Sequence, residues 1–142
     1  MSEIIPRWEW RSFDRRFGTA ESRLRALTPG AVQESDEIYL LHGTGDNVKV
    51  RDRLMDIKVL QQVNEDGLEQ WTPVMKQSFP LPAEVVAKVH EALRRPMPSL
   101  PRPGYSLDEF IADFAAPGCA IRAVKVHKLR TRFTVGGCMA EL

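Results

Sequence analysis

The chain has 142 residues, of which 43% are hydrophobic and 27% are charged, and its formal net charge is +1. This length and composition predict one globular domain, and the near-neutral charge argues against a general nucleic-acid binder, which would be basic overall. No apolar run approaches the ~20 residues of a membrane span, and the start MSEIIPRWEW lacks a signal-peptide pattern, so no membrane partner and a cytoplasmic location are expected.

Strands and one helix are predicted over the first part of the chain. RWEWRSF (7–13) alternates and is rich in aromatic residues, which predicts a strand. GTAESRLRAL (18–27) has a helix-forming composition and ends at the turn signal TPG. SDEIYLLH (35–42) predicts a second strand, and GTGDN (43–47) predicts a hairpin turn, because glycine, asparagine and aspartate tolerate positive φ.

The middle of the chain contains two further segments with strand character. NVKVRDRLMDIKVL (47–60) predicts either one long bent strand or two short strands that break near Asp52 and Arg53. QWTPVMKQSF (70–79) predicts another strand. Pro73 requires this strand to be an edge or to contain a bulge, since proline cannot donate a ladder hydrogen bond.

A helix and a proline-rich connector follow. Valine and leucine residues at helical spacing predict a helix over 82–95, and its first residue, Pro82, suits the first helical position. RPMPSLPRPG (95–104) has four prolines, so it is predicted to be an extended connector outside the core.

The last part of the chain predicts a helix and two strands. SLDEFIADF (106–114) has one apolar face, and Ser106 and Glu109 have the spacing of a capping box, which predicts the start of this helix. AIRAVKVHKLRTRFTV (120–135) and CMAEL (138–142) predict two strands joined by a glycine pair.

The chain stops within the last of these patterns. Residues 139–142 are followed by neither a turn residue nor a polar tail. We therefore expect a single domain over 1–142 that is the N-terminal portion of a longer chain; a missing C-terminal region or a homodimer partner would complete its sheet. Cys138 is predicted to be a buried small hydrophobe, and Cys119 lies in a loop; neither has a partner at CxxC spacing.

Cations recur at alternate positions of two predicted strand regions. Alternate residues of a strand share a face and lie ~6.6 Å apart. Lys49 and Arg51 therefore share a face of one strand, and after a break near Asp52 the residues Asp56 and Lys58 share a face at the same spacing. In the later region the same rule groups Arg122, Lys128, Arg130 and Arg132.

The type of these cations favours a binding face for phosphate. Most are arginines, whose planar fork fits phosphate oxygens, and no carboxylates are interleaved with them as on a salt-bridged surface. For any single strand, a solvated sheet face that guards an edge is the alternative interpretation.

In their order and spacing, RWEWR, KVRDRLMDIKVL and VHKLRTRFTVGGCMAEL resemble the strands of the triphosphate tunnel, or CYTH, superfamily. The resemblance runs through most of the chain. It implies an α+β fold in which an antiparallel, strongly curved sheet forms a partial or complete triphosphate-tunnel barrel with flanking helices. Members include inorganic and thiamine triphosphatases, RNA triphosphatases and one class of adenylyl cyclase. The phosphate contacts that the resemblance implies are Lys49, Arg51, Arg53, Lys58, Lys128, Arg130, Arg132 and Arg11.

The first strand departs from the family pattern. Where the family has E-x-E-x-K, this chain has Arg7, Glu9 and Arg11, so one acid is replaced by a cation and the lysine by an arginine. Glu9 and Glu141 remain as the implied ligands of Mg²⁺ or Mn²⁺, which favour oxygen donors. A metal held by this acidic group would therefore lose one ligand.

Three functions follow from these patterns. The first is metal-dependent cleavage of a triphosphate, polyphosphate or nucleotide ligand, with no general base assigned. The second is a non-catalytic phosphoanion- or nucleotide-binding regulatory domain. The third is single-stranded nucleic-acid binding through basic strands and Trp8, Trp10 and Trp71, which is disfavoured because tryptophans beside apolar patterns more often pack in a core.

Overall fold

The computed structural model describes residues 7–142, and this part of the chain divides into two compact units. The first unit comprises residues 7–10 and Glu37–Val126, and the second comprises Arg11–Asp36 and His127–Leu142. Within the described residues, no helix is long and apolar enough to cross a membrane. Helices occur together with antiparallel strands, which confirms the predicted α+β class.

The secondary structure largely follows the predicted order of elements. In chain order the elements are β1 (Arg7–Glu9), α1 (Gly18–Arg25), β2 (Val32–Leu41), β3 (Asn47–Arg51), β4 (Leu54–Val63), β5 (Glu69–Ser78), β6 (Leu81–Pro82), α2 (Ala83–Ala92), β7 (Gly104–Tyr105), α3 (Leu107–Ala112), β8 (Arg122–Val135) and β9 (Cys138–Glu141). The strand predicted over 7–13 ends early, at Glu9, and the helix predicted over 82–95 begins one residue later than expected, because Pro82 precedes it in β6.

In the first unit, hydrogen-bonded neighbours follow the order β1-β5-β4-β3-β2, with β2 represented by its second half. Each of these neighbouring pairs is antiparallel. Because β2, β3, β4 and β5 are consecutive in the chain and adjacent in the sheet, short turns alone can set their register. The predicted hairpin over 43–47 is confirmed, since β2 and β3 pair on either side of it.

Segment 47–60 forms two strands, which resolves the two alternatives. Asp52 has a φ of 54°, in the left-handed region that aspartate tolerates, and the chain reverses there between β3 and β4. Of the two alternatives at Pro73, an edge or a bulge, the register shows a bulge. Pro73 pairs with Lys58, immediately beside a register shift that follows Ile57.

α3 begins as the sequence predicts. The Ser106 side chain accepts a hydrogen bond from the Glu109 backbone N–H, and the Glu109 side chain accepts one from the Ser106 backbone N–H. Both partners of the capping box are therefore present. A short 3₁₀ turn, Asp113–Ala115, continues the helix.

The core of the first unit joins one face of β3 and β4 to α2 and α3. Its buried side chains include Val48, Val50, Met55, Ile57, Val85, Val86, Val89, Phe110 and Phe114. His90 of α2 is also fully buried, with its ring stacked on Phe114 at a centroid separation of 5.6 Å. Because side chains alternate along a strand, this apolar packing directs Lys49 and Arg51 to the opposite face of β3.

The second unit contains α1, the first half of β2, the second half of β8, and β9. β8 and β9 pair antiparallel, and the backbone of Thr131 exchanges two hydrogen bonds with Leu142. Gly30 approaches the Arg132 carbonyl closely, since an added Cβ would lie 3.3 Å from that oxygen. Cys138 is exposed, so its predicted burial is wrong: it follows the Gly136–Gly137 turn directly, at the start of β9.

Candidate anion-binding site

The polar face of β3 is buried, although it is built from charged residues. Lys49 is 6% exposed, and its two neighbours in the strand are buried on the apolar side. Register places Lys49 opposite Tyr39 on β2 and opposite Asp56 on β4. Arg51 lies opposite Glu37 on β2. These residues therefore share one face of the sheet in the first unit.

Two cations of β3 converge on one carboxylate oxygen. Lys49 Nζ lies 3.2 Å from Glu37 Oε1, and Arg51 Nε lies 3.1 Å from the same oxygen. The other oxygen, Glu37 Oε2, accepts a hydrogen bond of 2.8 Å from the Tyr39 hydroxyl. The Tyr39 ring also lies 5.3 Å from Lys49 Nζ, within the range of a cation–π contact. Glu37 is thus held on both oxygens.

A second carboxylate belongs to the same group. Asp56 is 1% exposed, and Arg51 Nη2 lies 3.6 Å from its Oδ2, as an ion pair. Neither carboxylate oxygen of Asp56 has a hydrogen-bond partner among the described residues. A buried carboxylate without hydrogen bonds is costly, and it remains able to accept a proton donor. We call Glu37, Lys49, Arg51 and Asp56 the charge cluster.

The charge cluster corrects the expectation that the cations lack interleaved carboxylates. Two cations and two carboxylates alternate across three strands, so they balance. Glu37 and Tyr39 were not among the predicted site residues, since both stand outside the basic segment. Glu37 and Tyr39 are two residues apart on the predicted strand 35–42, so they share a face of it. With the register of the following hairpin, which places Glu37 opposite Arg51, this spacing could have identified them.

The other predicted cations of the first unit take different positions. Lys58 is half-buried on β4, two residues after Asp56 and therefore on the same face. Arg53 is exposed in the turn between β3 and β4. Of the predicted phosphate contacts in this unit, the structure brings Lys49 and Arg51 together, with Lys58 on the same side of the sheet and Arg53 outside the strands.

In the second unit, two arginines approach one glutamate. Arg130 Nη1 and Arg132 Nη2 lie 3.8 and 3.9 Å from Glu141 Oε2. Arg130 also donates a hydrogen bond of 2.9 Å to Gln33 Oε1. The Nε atoms of both arginines are buried and have no hydrogen-bond partner among the described residues. The predicted shared face of Arg130 and Arg132 is consistent with this convergence.

Two other predicted contacts lie in the second unit as well. Lys128 is half-buried on β8, two residues before Arg130 and therefore on the same face of the strand. Arg11 is exposed and precedes α1. That the cations of the two units act on one ligand stays a prediction.

A histidine of the second unit bridges two acids. His127 Nδ1 lies 2.7 Å from Asp36 Oδ1, and Nε2 lies 2.8 Å from Glu34 Oε1. These two hydrogen bonds raise the pKa of His127, because each carboxylate favours the protonated ring. Because both ring nitrogens are hydrogen-bonded to carboxylates, His127 is better suited to link β2 to β8 than to bind a metal. We call this link the His127 strap.

The predicted metal ligands can be tested against this arrangement. Glu9 on β1 pairs in register with Glu69 on β5, so two carboxylates face each other across the ladder. Glu141 is occupied by Arg130 and Arg132. Within residues 7–142, no group of three or more His, Cys, Asp or Glu side chains is arranged to hold a metal. Glu69 Oε2 accepts a hydrogen bond of 2.8 Å from the Trp71 indole N–H. That Glu9 and Glu141 hold a divalent metal therefore stays a prediction.

No family model, curated protein or solved structure matches this chain. What the fold and the site define together is an α+β protein with a buried, charge-balanced polar sheet face. The function of that sheet face is therefore inferred from the geometry of its side chains.

Proposed function

We propose that the protein binds triphosphate- or polyphosphate-type anions through Lys49 and Arg51. The observation that supports this is the convergence of Lys49 Nζ and Arg51 Nε on a single oxygen, Glu37 Oε1, at 3.2 and 3.1 Å. Two cationic donors aimed at one anionic oxygen suit a phosphate oxygen as well as a carboxylate oxygen. In the charge cluster, the carboxylate oxygen stands where that phosphate oxygen would bind.

Burial strengthens this type of site. Because Lys49 is 6% exposed, water screens its charge weakly, so its interaction with an anion is stronger than that of a surface lysine. Lys58, on the same face, would contact a further phosphate of the chain. By the sequence resemblance, Arg53 and, in the second unit, Arg11, Lys128, Arg130 and Arg132 have the same role.

Cleavage of the bound phosphoanhydride is the second part of the proposal. Mg²⁺ or Mn²⁺ would enter with the phosphate, and the ligands that the resemblance implies for it are Glu9 and Glu141. Neither lies in the charge cluster: Glu9 pairs with Glu69, which lies opposite Val63 and therefore seven residues along β4 from Asp56, and Glu141 contacts two arginines. When bound, such an ion neutralises charge on the phosphoryl oxygens. Asp56 would orient the attacking water, since its oxygens are buried and free of hydrogen bonds within the described part of the chain.

Binding without turnover is the second candidate function. Arg7 stands where the resembling family has an acid, and Glu141 is engaged by two arginines. Both features weaken metal binding and leave the cations of the charge cluster intact. A domain of this type would bind a phosphoanion or nucleotide in a regulatory role.

Calorimetric titration with sodium tripolyphosphate tests binding. Arg51→Gln should weaken the affinity at least about tenfold, because it removes a charge-assisted contact worth roughly 1.5–3 kcal/mol. Arg23→Gln, which changes an exposed arginine of α1, is the matched control and should bind like the wild type. Equal affinity for both variants would contradict the assignment to the charge cluster.

Release of inorganic phosphate from tripolyphosphate separates the two candidate functions. The assay is run on the same protein with Mg²⁺, with Mn²⁺ and with EDTA. Metal-dependent release that Arg51→Gln lowers and Arg23→Gln preserves supports an enzyme. Tripolyphosphate binding with no release under any condition supports the regulatory binding domain.

A further inference from the structure

Glu37 contacts both cations that the proposed ligand would use. Its Oε1 accepts from both Lys49 and Arg51, and its Oε2 accepts from Tyr39. The Glu37 side chain is 0% exposed, so water does not compete for these contacts. An anion that reaches the two cations therefore has to take them from an internal carboxylate.

We propose that Glu37 is a specificity-determining residue: it acts as an internal anion that excludes single phosphates and admits phosphate chains. This inference rests on the proposed binding of chained phosphates at Lys49 and Arg51. It adds the class of anion that the site accepts and the residue that sets that class.

Charge balance gives the physical reason. The two cations of the charge cluster are matched by Glu37 and Asp56, so the cluster as a whole offers an incoming anion no net attraction. Glu37 is tethered to the same sheet, and a tethered competitor has a high effective concentration. Orthophosphate would replace the Glu37 carboxylate by one small, untethered anion, and it would therefore gain little affinity.

A phosphate chain differs from orthophosphate in its reach. While one phosphate group competes with Glu37, another can contact Lys58 on the same face of the sheet. The second contact is then intramolecular, which raises the affinity without any change at the first. The selectivity for chains over single phosphates therefore depends on Glu37 retaining its charge.

Tyr39 determines how firmly Glu37 holds its place. Its hydroxyl is 2.8 Å from Glu37 Oε2, on the side away from the cations' shared oxygen. Removal of this hydroxyl loosens Glu37 and leaves all four charges of the cluster in place. Tyr39→Phe is thus a milder variant that tests the same idea without an unbalanced buried charge.

The experiment compares orthophosphate, pyrophosphate and tripolyphosphate by calorimetric titration of wild type, Glu37→Gln, Tyr39→Phe and Glu65→Gln. Glu65→Gln makes the same charge change at an exposed turn residue and is the matched control. We expect Glu37→Gln to bind orthophosphate at least about tenfold more tightly, so that the preference for tripolyphosphate shrinks. Tyr39→Phe should change the same ratio in the same direction by a smaller factor.

The rise in Tm that phosphate causes is a readout that a purely structural role of Glu37 would not change. Without ligand, Glu37→Gln should have a lower Tm than the wild type, because it leaves Lys49 and Arg51 unbalanced. Phosphate should raise the Tm of this variant more than that of the wild type, since tighter binding stabilises the folded state.

The outcomes separate this inference from the function on which it rests. If the wild type binds tripolyphosphate but neither Glu37→Gln nor Tyr39→Phe gains affinity for orthophosphate, Glu37 is structural and the inference is wrong. If Glu37→Gln does not fold, Tyr39→Phe alone decides. If no protein binds any of the three anions, the proposed binding function is itself wrong.

Discussion

The Glu37 carboxylate and the Lys49 ammonium group lie 3.2 Å apart on neighbouring strands, although 12 residues separate them in the sequence. Both side chains are buried. A buried ion pair gains little over a well-packed apolar pair, because both charges lose their hydration. Stability alone therefore accounts poorly for this pair, which fits the anion-binding role proposed above.

Removal of one partner of this pair should destabilise the first unit strongly. Lys49→Met leaves Glu37 buried with one fewer cation, and we expect a loss of about 3 kcal/mol in the free energy of unfolding. Urea denaturation followed by circular dichroism measures it. Lys88→Met, at an exposed position of α2, is the control and should change the same quantity by less than about 0.5 kcal/mol. Similar losses of unfolding free energy for the two variants would show that the Glu37–Lys49 pair stabilises the protein no more than an exposed lysine does.

The start of α3 gives a prediction independent of any ligand. Ser106→Ala removes the side-chain oxygen that accepts from the Glu109 backbone N–H. The free energy of unfolding should fall by about 1 kcal/mol. Ser99→Ala, at an exposed residue of the proline-rich connector, should leave it unchanged in the same chemical denaturation experiment. A loss at Ser99 as large as at Ser106 would contradict the capping assignment.

Local patterns in this chain were predictable, because they depend on residues close in sequence. The capping box of Ser106 and Glu109 needs only its own spacing, and the bulge at Pro73 needs only the missing N–H. The turn at Asp52 was one of two predicted alternatives, since the same residues also fit a single bent strand.

The full set of residues in the charge cluster could not be predicted from the sequence as readily as these local patterns. Lys49 and Arg51 were identified from strand parity, but their partner Glu37 lies across a hairpin, and its position depends on the register of that hairpin. A shift of one residue would have turned Glu37 to the opposite face. The exposure of Cys138 depends likewise on where β9 begins after its glycine turn.

The His127 strap should stabilise the second unit at acidic pH. Its hydrogen bonds to Asp36 and Glu34 raise its pKa above the ordinary value of 6.5, so the folded state retains the proton more tightly than the unfolded state. The stabilisation is therefore complete below pH 6.5 and is lost as the pH rises through the folded pKa. NMR titration of the His127 ring protons should show the raised pKa.

Asp36→Asn is the matching variant for His127. It removes the larger of the two contributions to the raised pKa, so the ring should titrate closer to its ordinary value. The dependence of unfolding free energy on pH above 6.5 should weaken in parallel. An unchanged titration of His127 in this variant would show that the strap does not form.

His90 should have the opposite dependence on pH. Burial lowers its pKa, and Arg95 lowers it further, while Asp113 acts in the other direction. The unfolded state therefore takes up the proton first, and stability falls as the pH drops below 6.5. Neither ring nitrogen has a hydrogen-bond partner within residues 7–142.

Replacement of His90 by an apolar residue tests this directly. His90→Leu should reduce the loss of stability between neutral and acidic pH, and it should keep or slightly raise the unfolding free energy at pH 7, by up to about 1 kcal/mol. Denaturant titrations across the pH range measure both. A steeper acid loss in the variant than in the wild type would contradict the assignment of that loss to His90.

Asp56 tests the catalytic half of the proposed function. Asp56→Asn keeps the shape of the side chain but cannot accept a proton from water. If the protein is a hydrolase, phosphate release should fall by about 10²-fold or more while tripolyphosphate binding is retained or strengthened. Asp66→Asn, an exposed turn residue, is the control. Undiminished release by Asp56→Asn would remove Asp56 from the mechanism.

A crystal structure with tripolyphosphate bound tests the central claim most directly. We expect phosphate oxygens at hydrogen-bond distance, about 2.7–3.2 Å, from Lys49 Nζ and the Arg51 guanidinium, with Glu37 displaced from its present contacts. Tripolyphosphate bound only at exposed arginines, with Glu37 still held by Lys49 and Arg51, would contradict the account.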